Sequence, residues 1–306
     1  AGIRVIMLTG DHIETAKAYA RELGLMNDSN MAYSHSDLDR ITDLELKEIL
    51  KEANVFARIN PEDKYRIVTI LKEMGEVVAM TGDGVNDAPA LRKADIGVAM
   101  GKRGTDLARE VSDLVLLDDN FATIVNAIEE GRVIFDNIKK TIFFLLSCNF
   151  GEIFLIVGTM ILSLKMPLGP LHLLWLNLLT DSFPALALGF EKAEANVMSP
   201  RKAKDNDIMN KSFLLGIILQ AIFISFGALL LYIRNYSIEN YAFAVTMCFA
   251  GIVVIELLRA LSARSQNEFL LKIGVLSNKN MLLAQCVSFA LLLPALYGPL
   301  SRVLFN

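Results

Sequence analysis

Two short runs carry residue types able to do chemistry on a phosphate. Asp83 and Asp87 stand four residues apart across a glycine-bearing turn, in the run Thr81-Gly82-Asp83-Gly84-Val85-Asn86-Asp87. Their carboxylates are hard oxygen ligands suited to Mg²⁺, and Asn86 adds a neutral amide. In Thr9-Gly10-Asp11 the threonine and the Gly10 N–H are suited to hold phosphoryl oxygens, while Lys64 is suited to neutralise their charge. For Gly-Asp-Gly taken alone, a tight turn with acidic decoration is an equal reading.

A second set of acids, Glu152, Asp181 and Glu256, interrupts long apolar sequence. An ionisable group at membrane depth costs about 2.5–3.5 kcal/mol on insertion scales, so three of them argue for a shared ion site. Each has polar company. Asn149 and Glu152 are three apart, and Asn177, Thr180 and Asp181 are spaced to share one face of an α-helix. Gly151 is expected to let backbones approach, and Pro184 either to free carbonyls or simply to kink its helix. Oxygen donors of this kind suit a hard cation, and three carboxylates compensate one divalent ion and part of a second. Cys148 is expected to point away and His172 to sit near the outer boundary, which disfavours a soft-metal site of the copper or zinc type.

The elements that must position the first set alternate between strand and helix. Ile3–Leu8 is a continuous apolar run leading into Thr9, with a helical pattern following through Leu23 to Gly24. A helix from about Thr42-Asp43 leads to a strand over Val55–Arg58, and Pro61 opens another helix, as a first-turn proline can. Val77–Met80, Ile96–Met100 and Leu114–Leu117 predict further strands. Buried runs alternating with helices indicate a parallel sheet covered on both faces, whose ligands collect at the carboxyl ends of the strands. Thr9-Gly10-Asp11 and Thr81-Gly82-Asp83 both follow such ends.

The acids of the second set lie in five stretches apolar enough to cross a bilayer, at about 141–164, 171–190, 213–233, 241–262 and 281–300. Charge divides the 306 residues the same way. Residues 1–140 hold 18 Lys+Arg against 25 Asp+Glu, and residues 141–306 hold 12 against 9. That excludes a purely soluble protein, a disordered chain and a basic nucleic-acid binder. Three cysteines without paired spacing give no disulfide scaffold or zinc site. Lys192, Arg201, Lys202, Lys204 and Lys211 follow the second stretch, and Arg259, Arg264, Lys272 and Lys279 follow or end the fourth. The opposite side has only Lys165, Arg234 and Arg302. The basic loops belong in the cytoplasm, and the acidic first half with them.

At this point the motifs carry a resemblance. MLTGD (7–11), ARINPEDK (57–64) and TGDGVNDAPAL (81–91) resemble the phosphorylation domain of the P-type ATPases, a branch of the haloacid-dehalogenase-like fold. The stretch VLLDDNFATIVNAIEEGRVIFDNIKK (115–140) is similar to that family's run into its fifth membrane helix. The resemblance implies an α/β, Rossmannoid, partial phosphorylation domain over residues 1–136, followed by an all-α transmembrane bundle of five helices over 137–306. It gives Asp83 to Mg²⁺, with Asp87 also at the cofactor. Asn86 and Asp87 would position the site, Lys64 would contact the phosphoryl group, and Thr9, Gly10 and Asp11 would line it. The family's nucleophile, an Asp in an Asp-Lys-Thr-Gly-Thr motif, does not occur in these residues. Nor do its actuator and nucleotide-binding domains, which would bind most of the ATP. The chain, starting at Ala1 within a strand approach, is therefore expected to be a fragment of the same polypeptide, inactive alone.

CNFGEI (148–153), LLWLNLLTDSFPALALGFE (173–191) and VVIELLRAL (253–261) resemble the ion-binding helices of the Ca²⁺-transporting, type II, sarco/endoplasmic-reticulum-like subgroup. That resemblance assigns Asn149, Glu152, Asn177, Thr180, Asp181 and Glu256 to Ca²⁺, with Glu256 peripheral. It implies a multi-pass ATP-driven pump working through an aspartyl-phosphate. Export of Ca²⁺ is expected to be coupled to proton counter-movement, since three carboxylates emptied of metal repel one another. Short outer loops lean towards a bacterial plasma membrane, with an internal Ca²⁺-store membrane the eukaryotic counterpart. The alternatives are a pump for another hard cation such as Mn²⁺ or Na⁺, a membrane-tethered phosphatase of the same soluble fold, and a stand-alone channel or interaction module.

Overall fold

A computed structural model describes residues 1–27, 31–200, 208–237, 239–265 and 268–298, so Arg201, Lys202, Lys204 and Arg302 lie outside the described residues. The chain folds as two units, Ala1–Ile128 and Glu129–Asn306.

The first unit runs β1 (Met7–Leu8), α1 (Ile13–Glu22), β2 (Tyr33–Ser34), α2 (His35–Leu38), α3 (Asp43–Glu52), β3 (Val55–Ala57), α4 (Pro61–Glu73), β4 (Ala79–Gly82, two residues later than the expected Val77–Met80, with Val77 exposed), α5 (Ala88–Lys93), β5 (Ile96–Met100), α6 (Asp106–Val111) and β6 (Leu114–Leu116). Local chemistry sets the helix starts. Thr42 and Glu45 form a reciprocal capping box on α3, and Asn60 with Asp63 forms one on α4, where Pro61 fills the first turn without wasting a donor. Among the described residues all strand pairing is parallel, but there are two three-stranded sheets in place of one, with orders β1-β3-β2 and β4-β5-β6. The cause is partly the shortness of β1. Only Met7 and Leu8 pair with β3, opposite Val55 and Phe56. Ile3 and Val5, expected in the strand, are exposed, and Arg4 between them bonds Asn54 and the Leu50 and Ala53 carbonyls. Leu8 packs into two of this unit's apolar clusters, one around Leu38, Leu46, Phe56 and Ile67, the other around Val68, Met80 and Leu91. β1 and β4, the strands leading into the two Thr-Gly-Asp turns, are thus each the edge of their own sheet. Tyr33–Ser34 and His35–Leu38 form elements that no apolar periodicity announced.

In the second unit five helices are long and apolar enough to cross a membrane among the described residues. They are α7 (Phe121–Ile161), which starts in the first unit, then Pro170–Leu188, α10 (Lys211–Asn235), α11 (Tyr241–Ser262) and a last helix, Lys279–Tyr297. Phe144, Leu155, Phe249, Ile252 and Val253 fill the bundle core. Phe223 and Leu178 face outward, as lipid-facing side chains do. Gly151 lets α7 and α10 close up, since a Cβ there would stand 2.9 Å from Ile224 Cγ2.

The second span departs from the regular helix that its spacing predicts. It consists of α8 (Pro170–Trp175), a π-helical turn (Leu176–Thr180) and α9 (Ser182–Leu188). The Asp181 N–H donates to Leu176 O at 2.9 Å, five residues back, so Asn177, Thr180 and Asp181 are not related by α-helical spacing. After α11 come α12 (Leu270–Ile273) and α13 (Lys279–Tyr297).

Candidate functional site

The two residue sets singled out by sequence fall into separate units, and each is described by itself. In the first unit α4 presents Lys64 from its first turn, and β4 ends in the Gly82–Asp83–Gly84 turn, followed by a short 3-10 turn over Val85–Asp87. Lys64 Nζ donates to Asp87 Oδ1 at 2.6 Å, and both side chains are largely buried. The Gly84 N–H reaches the other oxygen of Asp87 at 3.4 Å. Gly82 must be glycine for this pair to form, because a Cβ would lie 2.6 Å from Asp87 Cβ and 2.9 Å from its Oδ2. Asp83 and Asn86 are exposed. The Asp83 carbonyl accepts from Thr105 N–H, while its carboxylate has no partner among the described residues. An outward carboxylate beside a paired lysine and aspartate fits a Mg²⁺ ion as an oxygen donor set.

Thr9, Gly10 and Asp11 form the turn after β1. The Asp11 N–H donates to Thr9 Oγ1 at 3.1 Å, and the N–H groups of Arg58 and Ile59 donate to Asp11 and Thr9 carbonyls. This turn is tied to the segment leading into α4. Among the described residues no hydrogen bond or ion pair joins it to Lys64, Asp83, Asn86 or Asp87.

In the second unit the structure converges on the acids. Glu152, Asp181 and Glu256 are buried, with Glu256 wholly excluded from solvent. Asn177 Nδ2 donates to both oxygens of Glu152, at 3.2 and 3.0 Å, joining the first span to the π turn of the second. Asp181 and Glu256 differ. All four of their carboxylate oxygens are buried and accept from no N–H or O–H group among the described residues, and the Cys148 thiol lies against Asp181. Bare carboxylates in a low dielectric are costly, and such orphans call for a missing cation or proton. Glu256 is therefore not peripheral by burial. Asn149 turns its amide back to Leu145 O at 2.8 Å, and no described hydrogen bond ties it to the carboxylates. Thr180 is buried, and its carbonyl has a particular fate. Pro184 has no N–H to offer it, and Ser288 Oγ from α13 donates to it at 3.1 Å. Ser288 was invisible to sequence reasoning, since a serine in an apolar helix carries no signal of its partner.

Cys148 also corrects an expectation. Its Sγ and one oxygen each of Asp181 and Glu256 lie within 4.8 Å of one another. The available signal was spacing: Cys148 precedes Glu152 by four, hence on the same helix face. His172 instead caps α8, accepting from Gly169 N–H through Nδ1 at 2.9 Å.

Beyond the ends of the spans, Arg264 is fully buried and pairs twice with Glu191, at 2.9 and 3.0 Å. It also donates to the Gly274 and Val275 carbonyls and to Ser277. Asn278 adds a third donor to Glu191. Burial alone raises the Glu191 carboxyl, but the Arg264 and Asn278 hydrogen bonds outweigh it and hold the group below the usual carboxylate range. Arg259 lies over the Phe143 ring at 5.0 Å.

Comparison with known proteins matches residues 1–95 to haloacid dehalogenase-like hydrolases and residues 165–306 to the C-terminus of cation-transporting ATPases. A calcium-transporting ATPase of Bacillus subtilis is 42% identical over the whole chain, and calcium-transporting ATPase 1 of Lactococcus lactis is 43% identical over the whole chain. Human calcium-transporting ATPase type 2C member 2 is 38% identical over 99% of it. The chain spans about a third of the length of these relatives: 35%, 35% and 32%.

Proposed function

The chain belongs to the P-type cation-transporting ATPases, and from that premise we propose that it serves in ATP-driven export of Ca²⁺ from the cytoplasm. It is an integral, multi-pass membrane protein. Residues 1–136 act as part of the phosphorylation domain and residues 137–306 as the transmembrane domain. The observation that carries the ion assignment is the pair of orphaned, buried carboxylates of Asp181 and Glu256, with Glu152 and Asn177 joined nearby. Hard oxygens without donors are what a desolvated Ca²⁺ requires, and it accepts six to eight of them. Thr180 and Asn149 complete the proposed set. A tethered phosphatase would not need them.

In the soluble unit, Asp83 and Asp87 would hold Mg²⁺, which supplies charge neutralisation at a phosphoryl group. Lys64 places a cation beside the same site and fixes Asp87. Thr9 and Gly10 offer a hydroxyl and a backbone N–H to phosphoryl oxygens, with Asp11 lining the turn and Asn86 at the rim. The chemistry asked of these residues is positioning and electrostatics. ATP binding and the phosphorylated aspartate belong to the rest of the polypeptide, and protons move inward as Ca²⁺ leaves. A plasma membrane is the proposed location.

The test is ATP-dependent accumulation of Ca²⁺ in inside-out vesicles from cells producing the whole protein. Uptake of Ca²⁺ with no ATP-driven Na⁺ uptake in its absence is the expected result. Na⁺ transport without Ca²⁺ would overturn the assignment.

A further inference from the structure

The two bare carboxylates have a neighbour of different chemistry. Cys148 is wholly buried on α7, and its sulfur lies within 4.8 Å of an oxygen from each of Asp181 and Glu256. The other cysteines do not share this setting. Cys248 shares the bundle core but does not cluster with these acids, and Cys286 is exposed. The cluster thus holds one soft donor and two hard ones, supplied by the first, second and fourth spans, and the four carboxylate oxygens have no other claimant among the described residues.

We propose that Cys148 gives the intramembrane site a sulfur ligand, so that it binds thiophilic divalent cations of the cadmium and zinc class more tightly than an all-oxygen site would. The inference rests on the reading that Asp181 and Glu256 hold a cation. Zinc forms bonds of about 2.3 Å to thiolate sulfur and about 2.0–2.2 Å to carboxylate oxygen, so in its tetrahedral geometry a sulfur and an oxygen ligand lie roughly 3.6 Å apart. The three ligand atoms lie within 4.8 Å of one another, and side-chain rotation of up to about 1 Å at each would bring them to that spacing. Binding releases the thiol proton to water. Thiolate selects soft metals, whereas Ca²⁺ takes oxygen, so the sulfur widens the range of ions that can occupy the site rather than setting its affinity for Ca²⁺.

The experiment is a cadmium titration of the purified whole protein in lipid nanodiscs, read by the ultraviolet sulfur-to-cadmium charge-transfer band. It is done in a background in which Cys248, Cys286 and any cysteine elsewhere in the polypeptide are replaced by serine, which leaves Cys148 as the sole thiol. A saturable band is expected, and Asp181→Asn or Glu256→Gln in the same background should weaken the cadmium affinity at least about tenfold. In competition with Ca²⁺, Cys148→Ser should lower the preference for cadmium over calcium at least about tenfold. Absence of the band would overturn the proposal. So would a band whose affinity neither acid variant changes, because the thiol would then bind metal apart from the carboxylates. If the band appears and responds to Asp181→Asn while no Ca²⁺ binds, the cysteine ligand stands and the calcium reading fails.

Discussion

Replacing Arg264 by methionine should be among the most damaging single changes in the membrane unit. The guanidinium is 1% exposed and makes five hydrogen bonds, two of them to a carboxylate that is itself 8% exposed. The substitution leaves Glu191 with the Asn278 hydrogen bond alone and takes the Arg264 donor from the Val275 carbonyl, while the Gly274 carbonyl keeps Ser277. Removing one partner of a buried ion pair costs about 3–5 kcal/mol. For a unit of this size each kcal/mol lowers the thermal midpoint by about 2–4 °C, which predicts a fall of roughly 6–20 °C. The assay is the thermal transition of the purified protein in nanodiscs. Arg264→Met with Glu191→Leu should recover at least half of the loss, because the uncompensated charge is gone. The pair also sets a pH dependence. The Glu191 carboxyl is held below its ordinary range, so its stabilising effect is complete above the unfolded value of about 4.3 and is lost as pH falls through the lower folded one. Acidification from pH 7 to 5 should therefore leave this contribution intact, and Glu191→Gln should flatten the drop below about pH 4. A fall of less than about 2 °C in Arg264→Met would refute the reasoning.

Other expectations follow from single contacts. Gly82→Ala should push Asp87 from Lys64, costing about 1–3 kcal/mol by overpacking, and should cut phosphorylation of the whole protein from ATP at least about tenfold. Lys64→Ala should reduce the same phosphorylation while leaving Ca²⁺ binding near wild type, and unchanged phosphorylation would remove Lys64 from the site. Gly151→Val should separate α7 from α10 at Ile224, lowering the thermal midpoint by several degrees, with an unchanged midpoint contradicting the close approach.

Much of the fold was legible because its signals are local. Thr42 with Glu45, and Asn60-Pro61 with Asp63, fix helix starts by chemistry within four residues, and long apolar runs fix the spans. What escaped was set by partners distant in sequence. Ile3 and Val5 have strand composition, but of that run only Met7 and Leu8 pair with β3. The π turn in the second span arises without a breaker inside it, and Pro184 beyond it leaves a carbonyl that only the placement of Ser288 explains. The acids were legible because a charge in an apolar run is costly wherever it lies. Cys148 was not, since a buried thiol is ordinarily inert filler. Arg259 and Arg264 were counted as loop charges. In the fold one covers an aromatic ring and the other binds Glu191, so the charge bias they contribute has a structural origin as well.

The central claim is that the buried acids on three spans bind the transported ion, and Asp181 is its most direct test. ATP-driven uptake of radioactive Ca²⁺ into inside-out vesicles should be measured for the whole protein, for Asp181→Asn, and for Cys286→Ser as an exposed control. The account predicts uptake by the wild type and the control, and none by Asp181→Asn at equal expression. Wild-type uptake by Asp181→Asn would contradict it.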